Sequence, residues 1–299
     1  MRIAITGSSG LIGSAFVSSF TAQGHSCIRL VRSSAPSPLT HIPWNPESEE
    51  LIDDHRLEGI DVVVHLAGEN IAGRWTAGKK ARILRSRVRG TTTLSRSLAN
   101  LKKRPKLFLS ASAIGYYGDT GDQEIDESAG PGQGFLPSVC VEWETATEAA
   151  KQAGIRVVIM RIGVVLSPSG GVLQKILPIF RKGLGGRLGD GQQYMSWIPL
   201  EDIVKMIGFL IEHETIQGPV NLCSPTPRTN LEFTNALGRA LSRPTNFPVP
   251  HWAAKLALGQ MADETAFLSS RVLPSILLKN GYPFEPLDLQ AVLSNILAQ

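Results

Sequence analysis

Residues 5–16 read ITGSSGLIGSAF. The segment follows an apolar run, RIAIT at residues 2–6, and leads into a stretch whose apolar residues recur at helical spacing. Gly7, Gly10 and Gly13 therefore fall between a strand and a helix. A tight strand-to-helix turn needs a residue tolerant of positive φ, and a pyrophosphate needs backbone it can approach without a Cβ. Close packing of helix on strand needs a third small residue, and the free N–H groups of the helix N-terminus favour phosphate. With a strand before and a helix after, the pattern predicts a dinucleotide-binding turn made of Gly7, Ser9, Gly10, Leu11, Ile12 and Gly13, against the plainer alternative of a purely structural turn.

Outward from that turn, the short apolar runs SCIRLV, DVVVHLA, KLFLSAS and RVVIMRIG alternate with helical patterns over residues 11–21, 79–100 and 139–153. Strands apolar on both faces, joined by helical crossovers, predict an α/β fold with a doubly wound, Rossmann-like parallel sheet. Residues 1–165 are expected to form the nucleotide-binding domain. Past it the rhythm gives way to a glycine-dense stretch and Pro-bounded helical pieces. Residues 166–299 are read as a smaller substrate-side region, ending in a small helical C-terminal domain over about 248–299, with chain crossings between the two.

The end of the second strand bears on which dinucleotide binds. An acid there would hold the ribose 2′-hydroxyl of NAD, but residues 28–34 read IRLVRSS, with Arg32, Ser33 and Ser34 at that place. Arg32 can pair with a 2′-phosphate, so NADP is expected in preference to NAD; a solvated surface charge is the alternative.

Composition narrows the rest. Hydrophobic residues make up 42% and charged residues 19% of the 299, enough for a large core without staples. Cys27, Cys140 and Cys223 are the only cysteines and show no CxxC spacing, so neither a disulfide framework nor a metal site is expected. No secretory leader pattern and no run of about 18 apolar residues appears, which points to a cytoplasmic protein without a membrane partner. The net charge is +4, and the densest basic run, GRWTAGKKARILRSRVRG at residues 73–90, has helical spacing. Attraction of nucleotide phosphates explains that run more economically than nucleic acid, which is not expected as a partner.

The motifs TGSSGLIG (6–13), HLAG (65–68), RVRGT (87–91) and SASAIGYYG (110–118) resemble those of the extended short-chain dehydrogenase/reductase superfamily. More narrowly, LAGENIAGRWT, SRVRGTT, WETA, the run from Met160 to Ile198 and the tail SSRVLPSILLKNGYPFEP are similar to an atypical epimerase-like family, sometimes labelled cell-division-inhibitor homologues, with a C-terminal domain of unassigned function. The resemblance implies that residues 7–13 cradle the pyrophosphate, that Leu66 and Ala67 line the adenosine side, and that Gly68, Ser110 and Arg87 lie by the cofactor. Arg87 stands where many nucleotide-sugar epimerases have an Asn, and a cation there can reach a phosphate. Homodimers are common among such relatives.

Redox enzymes of this superfamily use a Ser, a Tyr and a Lys four residues after the Tyr. The Lys lowers the Tyr pKa, the Tyr transfers the proton and the Ser holds the substrate oxygen. Ser112 matches the Ser, but the resemblance puts Cys140 at the Tyr position and Glu144 at the Lys position. A carboxylate beside a thiol opposes the thiolate, so this pair cannot repeat those roles. It acts differently, or it is a small buried residue and a structural carboxylate. Tyr116 and Tyr117, in a loop at the carboxyl end of a strand, offer another proton donor. Residues 183–203, GLGGRLGDGQQYMSWIPLEDI, resemble the substrate-side segment of epimerases, which makes Gln193, Tyr194 and Trp197 candidates to face a nucleotide or sugar, and Arg161 and Arg187 to meet an anion. Pro199 stands where the family pattern often has His, and His65 reads as structural. The expected function is an NADP(H)-binding, epimerase-like oxidoreductase acting on a small polar or nucleotide-linked substrate. The alternative is a catalytically weak NADPH-binding sensor or partner-binding protein.

Overall fold

The structure, a computed structural model, describes residues 1–32, 40–48, 50–52, 55–285 and 288–298. The opening run forms β1 (Arg2–Thr6), followed by α1 (Leu11–Ala22), β2 (Ser26–Val31), β3 (His41–Pro43) and β4 (Val62–His65). Next come α2 (Ala77–Ala99), β5 (Leu107–Ala113), the two-residue β6 (Glu124–Ile125), α3 (Phe135–Thr145), α4 (Glu148–Gln152), β7 (Arg156–Ile162) and β8 (Val164–Ser167). The remainder holds α5 (Gly171–Arg181), β9 (Tyr194–Met195), β10 (Trp197–Pro199), α6 (Leu200–Glu212), β11 (Gly218–Leu222) and β12 (Arg228–Thr229). It closes with α7 (Asn230–Ala240), α8 (His251–Leu258), β13 (Arg271–Val272), α9 (Ser275–Lys279) and α10 (Leu289–Ala298).

Seven strands form one parallel sheet in the order β11-β7-β5-β4-β1-β2-β3. Side chains alternate across each strand, so both faces must be covered by helices. Ile3, Ile5, Val62, Val64, Leu107 and Leu109 meet Phe16 and Phe20 of α1 and Ile203 and Ile207 of α6 on one face. Ala4, Val63 and Phe108 meet Leu94 and Leu98 of α2 on the other. The doubly wound Rossmann-like sheet expected from the alternation is present. Strand order reverses between β1 and β4, and ligands bind at such a switch point beyond the carboxyl ends of the strands. A further apolar cluster, with Leu173, Leu177, Trp197, Phe233, Leu237 and Leu293, joins α5, α7 and α10 beside this layer.

Local chemistry sets the helix limits. Thr76 caps α2 by accepting from Lys79 N (3.2 Å), so the helix begins at Ala77, two residues before the expected start at Lys79. The segment expected as one helix over 139–153 begins earlier, at Phe135, and breaks between α3 and α4. At the break the Ser95 hydroxyl of α2 accepts from Ala150 N (2.8 Å) and donates to Thr147 O (3.1 Å). A side chain inserted in the ladder interrupts it. Among the described residues no helix is long and apolar enough to cross a membrane.

Candidate functional site

The switch-point crevice is built from backbone. Gly7 has φ +67°, and a Cβ there would lie 2.7 Å from Leu66 C. At Gly13 a Cβ would lie 2.2 Å from Gly7 O, while the Gly10 amide donates to that same carbonyl at 3.0 Å. The turn after β1 and the turn after β4 are thus pressed together with room for neither side chain. No side chain caps α1 at Gly10, which leaves its first N–H groups available for phosphate. Ser9 is exposed, Leu11 and Ile12 are half-buried, and Leu11 packs on Gly170 just ahead of α5.

Beneath the crevice runs a buried polar chain. Thr6 Oγ1 accepts from Leu66 N and Ala67 N (both 3.2 Å) and lies 2.7 Å from His65 Nδ1. Having two donors already aimed at it, the Thr6 hydroxyl gives its proton to Nδ1, so Nε2 carries the ring hydrogen toward Thr91 Oγ1 at 2.9 Å. Burial lowers the His65 pKa to about 3, and the ring stays neutral. His65 fixes the Leu66–Ala67 turn.

Three cations or polar groups expected at the cofactor lie near these elements. Arg32 is exposed directly after β2; Ser33 and Ser34 lie outside the described residues. Arg87 projects from α2 against Gly68, donates to Glu69 O (3.0 Å) and Ile83 O (3.3 Å), and lies 4.9 Å from the Trp143 ring centroid. Burial lowers its pKa, and among the described residues no carboxylate pairs with it. Ser110 is buried in β5, and neither its hydroxyl nor the buried Trp143 Nε1 has a partner among the described residues.

At the ends of β5 and β7 the side chains are closely knit. Arg161 clasps Glu144 with Nε to Oε1 (2.9 Å) and Nη2 to Oε2 (2.8 Å), the two side chains only 4% and 11% exposed. Ser112 Oγ donates to the same Glu144 Oε1 at 2.7 Å. Arg161 Nη1 donates to Tyr117 OH (2.9 Å), and that hydroxyl donates to Asn221 Oδ1 (2.8 Å). Burial opposes charge on Arg161, yet the Glu144 carboxylate holds its pKa above the ordinary value. Tyr117 is pushed up to about 12 by burial, which outweighs the nearby cation. Cys140 is buried within 3.9 Å of Ala113 O, and burial, aided by Glu144, pushes its thiol up to about 11. Such a thiol is a poor nucleophile.

Tyr116 differs from its neighbour. It is half-buried, its ring lies 3.5 Å from the Arg161 guanidinium carbon, and its hydroxyl has no partner among the described residues. Of the two tyrosines, only this one keeps a free phenol.

Residues 3–223 match the NAD dependent epimerase/dehydratase family, and residues 249–296 match a domain of unknown function, DUF1731. The chain is 48% identical to the Mycobacterium bovis epimerase family protein Mb2239 over 94% of this chain and 93% of that one. The chain belongs to the NAD dependent epimerase/dehydratase family. The fold agrees: the human epimerase family protein SDR39U1 (isoform 2), solved with NADPH, superposes with a TM-score of 0.91 at 29% identity, covering 100% of this chain and 99% of that one. A nucleoside-diphosphate sugar epimerase from Corynebacterium glutamicum superposes at 0.81 with 34% identity, over 99% of this chain and 58% of that one. None of these relatives carries the cell-division label.

In this epimerase-family chain the substrate-side candidates disperse. Trp197 is fully buried in the α5/α7/α10 cluster, its Nε1 donating to Thr226 O at 3.1 Å, so its ring faces core and not a ligand. Arg161 is committed to Glu144. Gln193 Nε2 donates to Leu188 O (3.2 Å) and Ala266 O (3.1 Å), and the Arg271 guanidinium carbon sits 4.8 Å from the Tyr194 ring centroid. Arg187 is exposed, with Nε 3.3 Å from Gly189 O. A cavity of about 630 Å³ runs between α1 and α6 under residues 282–285 and shares no residue with the glycine turn. Thr6 and Asn221 were not singled out by sequence. Thr6 had a usable signal, a hydroxyl ending the strand before the glycines; Asn221 had none.

Proposed function

We infer that the protein is an NADP(H)-binding oxidoreductase of epimerase type acting on a small polar or nucleotide-linked substrate. The observation that carries this reading is the crevice in which a Cβ at Gly7 would meet Leu66 C at 2.7 Å, opening on the uncapped start of α1. Backbone so stripped of side chains, facing free helix amides, suits a pyrophosphate. Residues 7–13 would hold it, and Arg32, with no acid beside it in the sequence up to Ser34, favours a 2′-phosphate. Arg87, half-buried and in no ion pair with a carboxylate among the described residues, is suited to a further cofactor oxygen. NADPH bound to human SDR39U1 agrees with this preference.

The cofactor, when bound, supplies or takes up hydride. Proton transfer falls to Tyr116, whose phenol is free and whose ring rests on the Arg161 cation. That charge favours the negative oxygen left when the proton is given up. Ser112 keeps a lone pair but directs its proton to Glu144, and Glu144 orients Arg161 instead of acting as a base.

The reading is tested by titrating NADPH and NADH into the purified protein and following NADPH oxidation with carbonyl compounds and nucleotide sugars. NADPH is expected to bind at least tenfold more tightly than NADH, and Tyr116→Phe to remove turnover while leaving nucleotide affinity unchanged. Full turnover by Tyr116→Phe would reject the proton donor. Tight NADPH with no turnover on either substrate class would support a binding protein instead.

A further inference from the structure

We propose that residues 269–276, within the domain of unknown function, are a positioning element of the site: the Leu273 carbonyl ends a hydrogen-bonded chain that fixes Arg161 and, through it, the Tyr116 ring. Asn221 Nδ2 donates to Leu273 O at 2.9 Å, and Asn221 Oδ1 accepts from Tyr117 OH at 2.8 Å. Tyr117 accepts from Arg161, and Arg161 grips Glu144, which also receives Ser112. Arg161 can only donate, so the Tyr117 proton must point to Asn221; the Asn221 oxygen must then face Tyr117 and its NH2 must face Leu273. Asn221, Arg161 and Tyr117 are 0%, 3% and 3% exposed, so water cannot replace a lost partner.

The same segment holds the chain on the other side of Tyr117. The Ser196 hydroxyl donates to Ser270 O (2.8 Å) and accepts from Val272 N (2.8 Å), seating the segment on β9 and β10. β13 pairs with β6, Arg271 reaches Glu124 at 2.8 Å, and Thr120 N donates to Ser269 O at 2.9 Å. The Ser269 hydroxyl also donates to Gly121 O. Residues 118–125 continue directly from Tyr116 and Tyr117, so both the loop and the buried network lead to the same C-terminal strand. Glu127 adds a staple, accepting from Asn221 N (3.0 Å) and Ile276 N (3.3 Å).

The consequence for Tyr116 rests on the function proposed above; the coupling between segment and network does not. The test is hydrogen–deuterium exchange on the full chain, alone and with NADPH, comparing wild type with Ser196→Ala and the milder surface change Arg271→Ala. Loss of a buried hydrogen bond should raise exchange about tenfold in 269–276 and by a similar factor in 112–118 and 158–162, leaving β1 and β2 unchanged. Arg271→Ala should give the same pattern, weaker, and it guards against a misfolded Ser196→Ala. With either variant the emission of bound NADPH should change while its Kd stays within about twofold. Faster exchange confined to 269–276, faster exchange spread uniformly over the chain, or unchanged NADPH emission with both segments loosened would each overturn the proposal. Failure to bind NADPH at all would reject the function and leave the exchange pattern to decide the coupling.

Discussion

Around the glycine turn, Gly7 and Gly13 remove side chains so that backbone meets backbone, and the first amides of α1 are left uncapped. Around Glu144, four side chains engage one another almost completely, and Tyr116 keeps a hydroxyl with no partner among the described residues. The first region offers unsatisfied donors to a ligand that brings acceptors. The second is satisfied internally, and its polar groups hold shape. The same polar chemistry thus serves reception at one end of the crevice and rigidity at the other. Variants should therefore separate the two, with binding lost at the turn and stability lost at the network.

The largest expected effect is Glu144→Gln, which strips a buried guanidinium of its counter-charge. It should cost ~3–5 kcal/mol and lower Tm on the order of 10 °C by calorimetry. Glu144→Leu with Arg161→Met should recover most of that loss, because an apolar pair leaves no orphaned charge. If the single change costs no more than an exposed pair would, the corner is not the closed network described here. Next is Gly13→Ala: its Cβ would fall 2.2 Å from Gly7 O and displace the turn. NADPH affinity should drop roughly a hundredfold, ~2.7 kcal/mol, with a smaller change in Tm.

His65 gives a pH signature of the turn. Its pKa is lowered from 6.5 to about 3 by burial, so the unfolded chain binds the proton and the folded one does not. Stability is complete above pH 6.5 and falls as pH drops toward 3, by up to ~1.4 kcal/mol per pH unit from this group. His65→Gln should flatten that acid limb in denaturant titrations at successive pH values. The smallest effect is at the rim, where Arg32→Asp should reduce the NADPH-over-NADH preference about tenfold without moving Tm. An unchanged preference would remove Arg32 from the cofactor site.

The contrast also explains what was legible in the sequence. The glycine turn is local: strand, three glycines and helix lie within Arg2–Ala22, and the spacing carries the geometry. The sheet was legible for the same reason, through continuous apolar strands such as Val62–His65, buried on both faces. The Glu144–Arg161 pair was not, because its members come from α3 and β7 and meet only when the sheet assembles. Arg161 therefore read as an anion receptor and Glu144 as a displaced Lys. Trp197 read as ligand-facing because its segment resembles the substrate side of epimerases, a likeness that carries no information on burial. The break at Ser95 escaped because a serine on one helix interrupts another far away in sequence.

The pairing of β6 with β13 has a consequence for how the protein is made. A ribosome emits the glycine turn, both cation-bearing elements and Tyr116 long before residues 269–276 leave the exit tunnel, and early regions tend to fold as they emerge. Until that strand arrives, Asn221 has no Leu273 carbonyl to face and the loop after Tyr117 has no partner. A nascent chain is thus able to complete its glycine turn while the network around Tyr117 stays unassembled, and the arrival of residues 269–276 closes that network.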